Sequence, residues 1–153
     1  MPTLYGGDTF DAALSESLLR GVPLDGPRRQ VLATSVSDLV VSRLEPRRQL
    51  RLAALHGHGL RRLRTTRRDL IETGPRDYAR TASWAQRLYD GPQRLDGLIW
   101  RSRQNDDVSA LILFGSRVGP DLRVDLDAEP LDTEPWHSQL LSVLDQADIA
   151  LVA

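Results

Sequence analysis

The sequence predicts an α+β fold in a single domain, with a mixed or antiparallel sheet flanked by helices. Strand-like segments outnumber helical ones and do not alternate with them regularly, which argues against a doubly wound α/β arrangement. Two apolar segments, Leu98-Ile99-Trp100 and Ala110-Leu111-Ile112-Leu113-Phe114, suit strands buried on both faces at the centre of a sheet. At 153 residues the chain is long enough to bury about two-thirds of its unfolded surface around one core without disulfides.

The first twenty residues read as a strand through Leu4-Tyr5, a turn at Gly6-Gly7 and a helix from Asp8 to Arg20. Asp8 is placed to accept hydrogen bonds from the first-turn amides, and Asp11 favours the positive end of the helix dipole. Phe10, Leu14 and Leu18 fall along one apolar stripe, and Arg20-Gly21 supply a last-turn cation and a C-cap. Glu16 lies off the centre of that stripe among Ala12, Ala13, Leu19 and Arg20, so its carboxylate is expected to be partly buried or paired. The glycines and prolines of residues 21–27 make a loop.

Val31 to Val36 and Leu39 to Leu44 are dense in β-branched residues and read as strands, the second closed by Pro46. Leu50, Leu52 and Ala54 give another short strand, interrupted by His56-Gly57-His58-Gly59. Leu60 to Glu72 reads as helix and turn, and Gly74-Pro75 opens a firmer helix ending near Asp90-Gly91-Pro92. The two central strands follow. Leu122 to Leu126 alternates as an outer strand, Glu134-Pro135 starts a helix through Leu144, and Ile149 to Val152 is a last strand.

Composition narrows the chemistry. No cysteine occurs, which removes disulfides, thiolate metal sites and a cysteine nucleophile. No apolar run approaches the roughly 20 residues that span a bilayer, and the N-terminus lacks the pattern of a signal peptide, so a cytoplasmic protein without membrane contact is expected. The formal charge of -1 gives no general affinity for polyanions. All twenty basic residues are arginine, which fits a GC-rich coding bias. The clusters Arg61-Arg62-Leu63-Arg64 and Arg67-Arg68 read first as solvated helix faces, so direct nucleic-acid binding is not the favoured reading.

Of the residues that could do chemistry, His56 and His58 would need His137 and a further ligand to close a metal site, and the glycines around them read better as a turn; no metal is expected. A nucleophile elbow around a serine is absent. Gly6-Gly7 lacks the third glycine of a dinucleotide fingerprint and the lysine of a P-loop. On spacing alone Glu16 is the helix partner of Arg20, Ser102 a strand-end hydroxyl and Tyr5 a core aromatic with a wet tip.

Taken together these features resemble a known family. Leu4-Tyr5, an acidic helix carrying Glu16, a helix containing Tyr78 to Ala85, the stretch Asp96-Gly97-Leu98-Ile99-Trp100-Arg101-Ser102-Arg103 and a strand ending at Phe114 follow the order of the RES domain, over nearly the whole of residues 1–153. The resemblance implies a fold similar to ADP-ribosyltransferase toxins. It also implies the toxin of a type II toxin-antitoxin pair that destroys NAD by phosphorolysis or hydrolysis, blocked by a helix-turn-helix antitoxin. NAD is then the substrate, phosphate a possible co-substrate, and no resident cofactor is implied. The family's tyrosine falls on Tyr5, its glutamate on Glu16 and its serine on Ser102. Its arginine lies ahead of the tyrosine strand and does not carry over, because this chain begins at Met1, four residues before Tyr5; the domain is expected to be N-terminally short.

The implied chemistry is consistent with those side chains. Breaking the nicotinamide–ribose bond develops positive charge on the ribose, which a carboxylate such as Glu16 can stabilise while holding a ribose hydroxyl. Tyr5 would stack on or hydrogen-bond the dinucleotide, and Ser102 would orient the nicotinamide ribose or amide. An arginine fork would clamp phosphate, but Arg101 and Arg103 alternate with Ser102 and should point to the opposite face. The competing expectation is a catalytically inactive or truncated RES-like domain that serves as a binding or assembly module, with a second copy covering an exposed sheet edge.

Overall fold

The computed structural model describes residues 2–23, 25–26 and 29–153, so the loop expected over 21–27 lies partly outside the described residues, at Leu24 and Pro27. Among the described residues the strands are β1 (Thr3–Gly7), β2 (Gln30–Leu32), β3 (Val40–Pro46), β4 (Leu52–Ala54), β5 (Gly97–Arg101), β6 (Ser109–Phe114), β7 (Leu122–Pro130) and β8 (Ala150–Val152). The α-helices are α1 (Phe10–Glu16), α2 (Ala33–Ser37), α3 (His58–Arg62), α4 (Arg67–Leu70), α5 (Tyr78–Asp90), α6 (Gly115–Val118) and α7 (Trp136–Gln146). The class is α+β with mixed sheets. The chain divides into two compact units, one made of Met1–Glu16 and Pro46–Asp121, the other of Ser17–Glu45 and Leu122–Ala153.

The first unit is built on a four-stranded sheet in the order β1-β6-β5-β4, antiparallel at β1/β6 and β6/β5 and parallel at β5/β4. The two apolar runs are its central strands, as their two-sided burial requires. Leu98, Trp100, Ala110 and Phe114 form a core with Leu55, Leu70 and Leu95, covered by Leu60 and Leu63 from the α3 segment and by Trp84, Ala85, Leu88 and Tyr89 of α5. Tyr89 meets Phe114 edge to face at 5.2 Å.

Gly97 shows how closely the central strands approach. A Cβ built there would stand 2.1 Å from the carbonyl oxygen of Ile112, a backbone atom that cannot swing aside. Gly97→Ala should therefore part β5 from β6 and lower stability by about 3 kcal/mol or more, read as a drop in urea midpoint at unchanged slope.

One polar knot ties the ends of this sheet together. Arg48 holds Asp96 with both terminal nitrogens at 2.8 Å and reaches Asp121 with Nε at 2.6 Å. The same Asp96 carboxylate accepts the amide of Arg51 at 2.8 Å, and the Asp96 backbone pairs with Arg51 and Phe114. The Arg48 guanidinium hydrogen bonds hold the Asp96 carboxyl below the usual aspartate range, against its burial. Beside it Arg117 donates to the carbonyls of Leu95 and Tyr89 and lies over the Tyr89 ring at 4.2 Å.

The second unit contains two ribbons, β2 paired in parallel with β8 and β3 paired with β7. Val31, Val36, Leu131, Leu140, Leu144 and Ile149 are its buried residues together with Leu19. The β3/β7 ribbon is largely exposed and is laced by ion pairs of Arg43 with Asp125 and of Arg123 with Glu45.

Four expectations for local structure need correction. The helix expected over 8–20 stops at Glu16 and is followed by a short 3-10 turn at Leu19–Gly21, while Gly6 and Gly7 belong to β1 and do not form the turn. Thr9, not Asp8, caps α1: its Oγ1 accepts the amide of Ala12 at 3.0 Å. Asp8 is instead engaged across the sheet end, where its Oδ1 accepts the amide of Ser109 at 3.0 Å and its own amide returns a bond to the Ser109 carbonyl. The strand expected over 31–36 ends at Leu32, and one helical turn follows in which Val36 is the buried residue. β-branched residues there reflect burial, which a helical turn satisfies as well as a strand.

Candidate functional site

The strand register determines which candidate side chains share a face. In β1/β6, Tyr5 stands opposite Ile112 and Gly7 opposite Ala110; in β5/β6, Leu98 stands opposite Ile112 and Trp100 opposite Ala110. Residues directly opposite lie on one face, and so do alternate residues of one strand. Ser102 donates its amide to the Val108 carbonyl at 3.1 Å, which extends the β5/β6 ladder by one pair and keeps Ser102 on the face of Leu98 and Trp100. Tyr5 and Ser102 therefore belong to the same face of the first unit's sheet.

The helix bearing Glu16 lies over that face as well. A Cβ on Gly7 would meet the Cβ of Ala12 at 2.5 Å, so α1 rests directly on β1 there and only glycine fits beneath it. Ala12 is fully buried, and Glu16 sits one turn further along the same side of the helix. Its carboxylate is half-buried and makes no ion pair with another described residue. Because α1 ends at Glu16, Arg20 is not on the next turn of the same helix. A carboxylate in the last turn without a basic neighbour there opposes the helix dipole, a local cost of the kind retained at working sites.

The two other candidates differ in exposure. Tyr5 is 62 % exposed on an edge strand, which leaves its ring accessible to a ligand and contrasts with the core position expected from its type. Ser102 is fully buried. Its Oγ accepts the amide of Gln104 at 3.1 Å and its carbonyl accepts Arg67 at 2.9 Å. The segment from Ser102 to Val108 is thus a tight, side-chain-braced loop.

Three residues around this loop escaped sequence reasoning. Asp11, read only as a first-turn acid, places Oδ2 on the side-chain nitrogen of Asn105 at 3.0 Å and Oδ1 on the Ser15 hydroxyl at 3.2 Å. Asn105 also accepts the amide of Asp107 at 3.0 Å through Oδ1. Arg67, read as part of a solvated basic face, is half-buried and holds Glu72, Asp106 and the Ser102 carbonyl, each at 2.9 Å. Arg101 bonds Ser109, its cross-strand partner on the face opposite Ser102, as the alternation required. Arg61, Arg62, Arg64 and Arg68 are exposed.

His56 and His58 flank Gly57, whose φ of 52° makes the turn into α3. Among the described residues no three histidine, aspartate or glutamate side chains form a group able to hold a metal ion. No helix of the described residues is long and apolar enough to cross a membrane.

A family model described as the RES domain matches residues 1–138. The chain belongs to the RES family. The match contains Tyr5, Glu16 and Ser102, and with them the whole first unit. RES domains are generally associated with NAD-processing enzymes. No curated protein and no solved structure matches the chain.

Proposed function

We propose that this RES domain degrades NAD as the toxin of a type II toxin-antitoxin pair, cleaving the bond between nicotinamide and its ribose. The observation that carries the reading is the shared sheet face: an accessible Tyr5, a braced Ser102 and a helix packed on Gly7 of that face whose last residue, Glu16, makes no ion pair among the described residues. Family membership supports NAD as the substrate, since RES domains are generally associated with NAD-processing enzymes.

In this reaction the C1′–N1 bond breaks and its electron pair goes to the pyridinium nitrogen, which leaves as neutral nicotinamide. Glu16 stabilises the cationic ribose and holds a ribose hydroxyl. An oxygen of water or phosphate then bonds to C1′, giving ADP-ribose or its 1-phosphate, and water's displaced proton passes to solvent. Tyr5 stacks on or hydrogen-bonds the dinucleotide, and Ser102, itself fully buried, orients the nicotinamide ribose or amide through the loop that it braces. The fold likeness to ADP-ribosyltransferase toxins belongs to this proposal, and so does a helix-turn-helix antitoxin that covers the site.

The test is purified protein incubated with NAD, with and without phosphate, following NAD loss and nicotinamide release by chromatography. Equal release of nicotinamide and loss of NAD is expected, and formation of the 1-phosphate only in the phosphate arm would identify phosphate as acceptor. No nicotinamide in either arm would overturn the enzyme reading in favour of a binding module.

A further inference from the structure

Glu16 and Ser102 come from distant parts of the chain, and catalysis by both requires that α1 be held in register with the 102–108 loop. We infer that the hydrogen bond between Asp11 and Asn105 is the device that sets this register, making the two a positioning pair for the reaction; this inference rests on the proposed NAD cleavage. Asp11 and Asn105 are 94 residues apart in sequence and 3.0 Å apart in space. Each is fastened on its own side. Asp11 also accepts the hydroxyl of Ser15, the residue before Glu16, so its carboxylate grips the last turn of α1. Asn105 also accepts the Asp107 amide, and its backbone carbonyl accepts the Val108 amide, so its side chain moves with the loop that begins at Ser102.

The bond is therefore a strut between two rigid pieces and not a contact between two mobile side chains. Asp8 and Ser109 join the same segments nearer the sheet, through two bonds of 3.0 Å, and act as a hinge point. The two bonds at the hinge and the contact of Ala12 with Gly7 hold the start of α1 against the sheet; the Asp11–Asn105 bond, further out along the helix, fixes its angle to the 102–108 loop. Small displacements of reacting groups carry large rate penalties, so a strut of this kind acts on kcat more than on substrate affinity.

The donor and acceptor can be exchanged, which gives a test that a general packing role would not pass. Asn105→Asp sets two carboxylates against each other and should lower kcat for nicotinamide release at least tenfold, with KM within about twofold of wild type. In Asp11→Asn/Asn105→Asp the amide of residue 11 donates to the carboxylate of residue 105, while Ser15 and the Asp107 amide keep their acceptors. That double variant should recover kcat to within about threefold of wild type. Melting temperature and far-UV circular dichroism are measured for each. If Asn105→Asp does not fold, Asn105→Ala carries the same expected loss without added charge. A folded Asn105→Asp or Asn105→Ala with wild-type kcat would overturn the inference and leave NAD cleavage standing, as would a folded double variant that stays as slow as Asn105→Asp. A wild-type protein that releases no nicotinamide would overturn the proposed function, and the positioning role with it.

Discussion

Glu16→Gln should lower nicotinamide release by about a hundred- to a thousandfold while leaving the melting temperature within about a degree of wild type. The substitution preserves size and hydrogen-bonding reach but removes the negative charge that the cationic ribose requires. Substrate binding should change much less than kcat, because that positive charge is greater in the transition state than in bound NAD. Stability should hold because Glu16 makes no ion pair among the described residues, and removing a carboxylate from the last turn of α1 relieves an unfavourable helix-end interaction. Rates would be taken from nicotinamide release at saturating NAD and stability from thermal melts of the same preparations. Unchanged release would reduce Glu16 to a half-buried surface carboxylate.

Much of the frame of the first unit could be read from local pattern. Leu98 to Trp100 and Ala110 to Phe114 are apolar on both faces because both faces are covered, and α5 announces itself by helical spacing from Tyr78 to Leu88. Patterning failed where burial did not distinguish between conformations. Phe10, Leu14 and Leu18 continue one stripe, yet the helix stops at Glu16, because a stripe reports only which side faces inward. Val36 is equally well buried by a helical turn as by a strand. α6 is a single turn, too short to show any period.

The candidate site was legible to a lesser degree. Tyr5, Glu16 and Ser102 stand out by family order, while spacing alone gave each an ordinary structural role. That Tyr5 and Ser102 share a face depends on the register of β1 against β6 and of β6 against β5, which no local window contains. The Asp11–Asn105 bond is harder still to anticipate, because both residues have satisfactory local explanations, a helix first turn and a polar loop. Arg67 was hidden for the same reason: within an arginine-rich segment nothing marks the one guanidinium that turns inward to the Ser102 carbonyl.

Asp96 illustrates the opposite case, a residue in the most family-specific stretch whose work is structural. Asp96→Asn should destabilise the protein by about 2 kcal/mol. The loss is held to that size because Arg48 is partly exposed, so water can solvate the guanidinium once its carboxylate is gone. The carboxylate is buried and serves three donors, two from Arg48 and the Arg51 amide, and a neutral amide cannot reproduce the charge-assisted pair. The pH dependence has a definite sign. The pKa of Asp96 in the folded protein lies below its ordinary value, chiefly through the Arg48 hydrogen bonds. Its contribution is therefore fully present above an unfolded-state pKa of about 4 and is lost as pH falls through the folded value. Wild type and Asp96→Asn should differ by a constant amount in urea unfolding from about pH 5 to 8 and converge below about pH 4. A gap that persists unchanged into acid would mean that packing around Asp96, and not its ionised pairing with Arg48, holds the ends of the sheet.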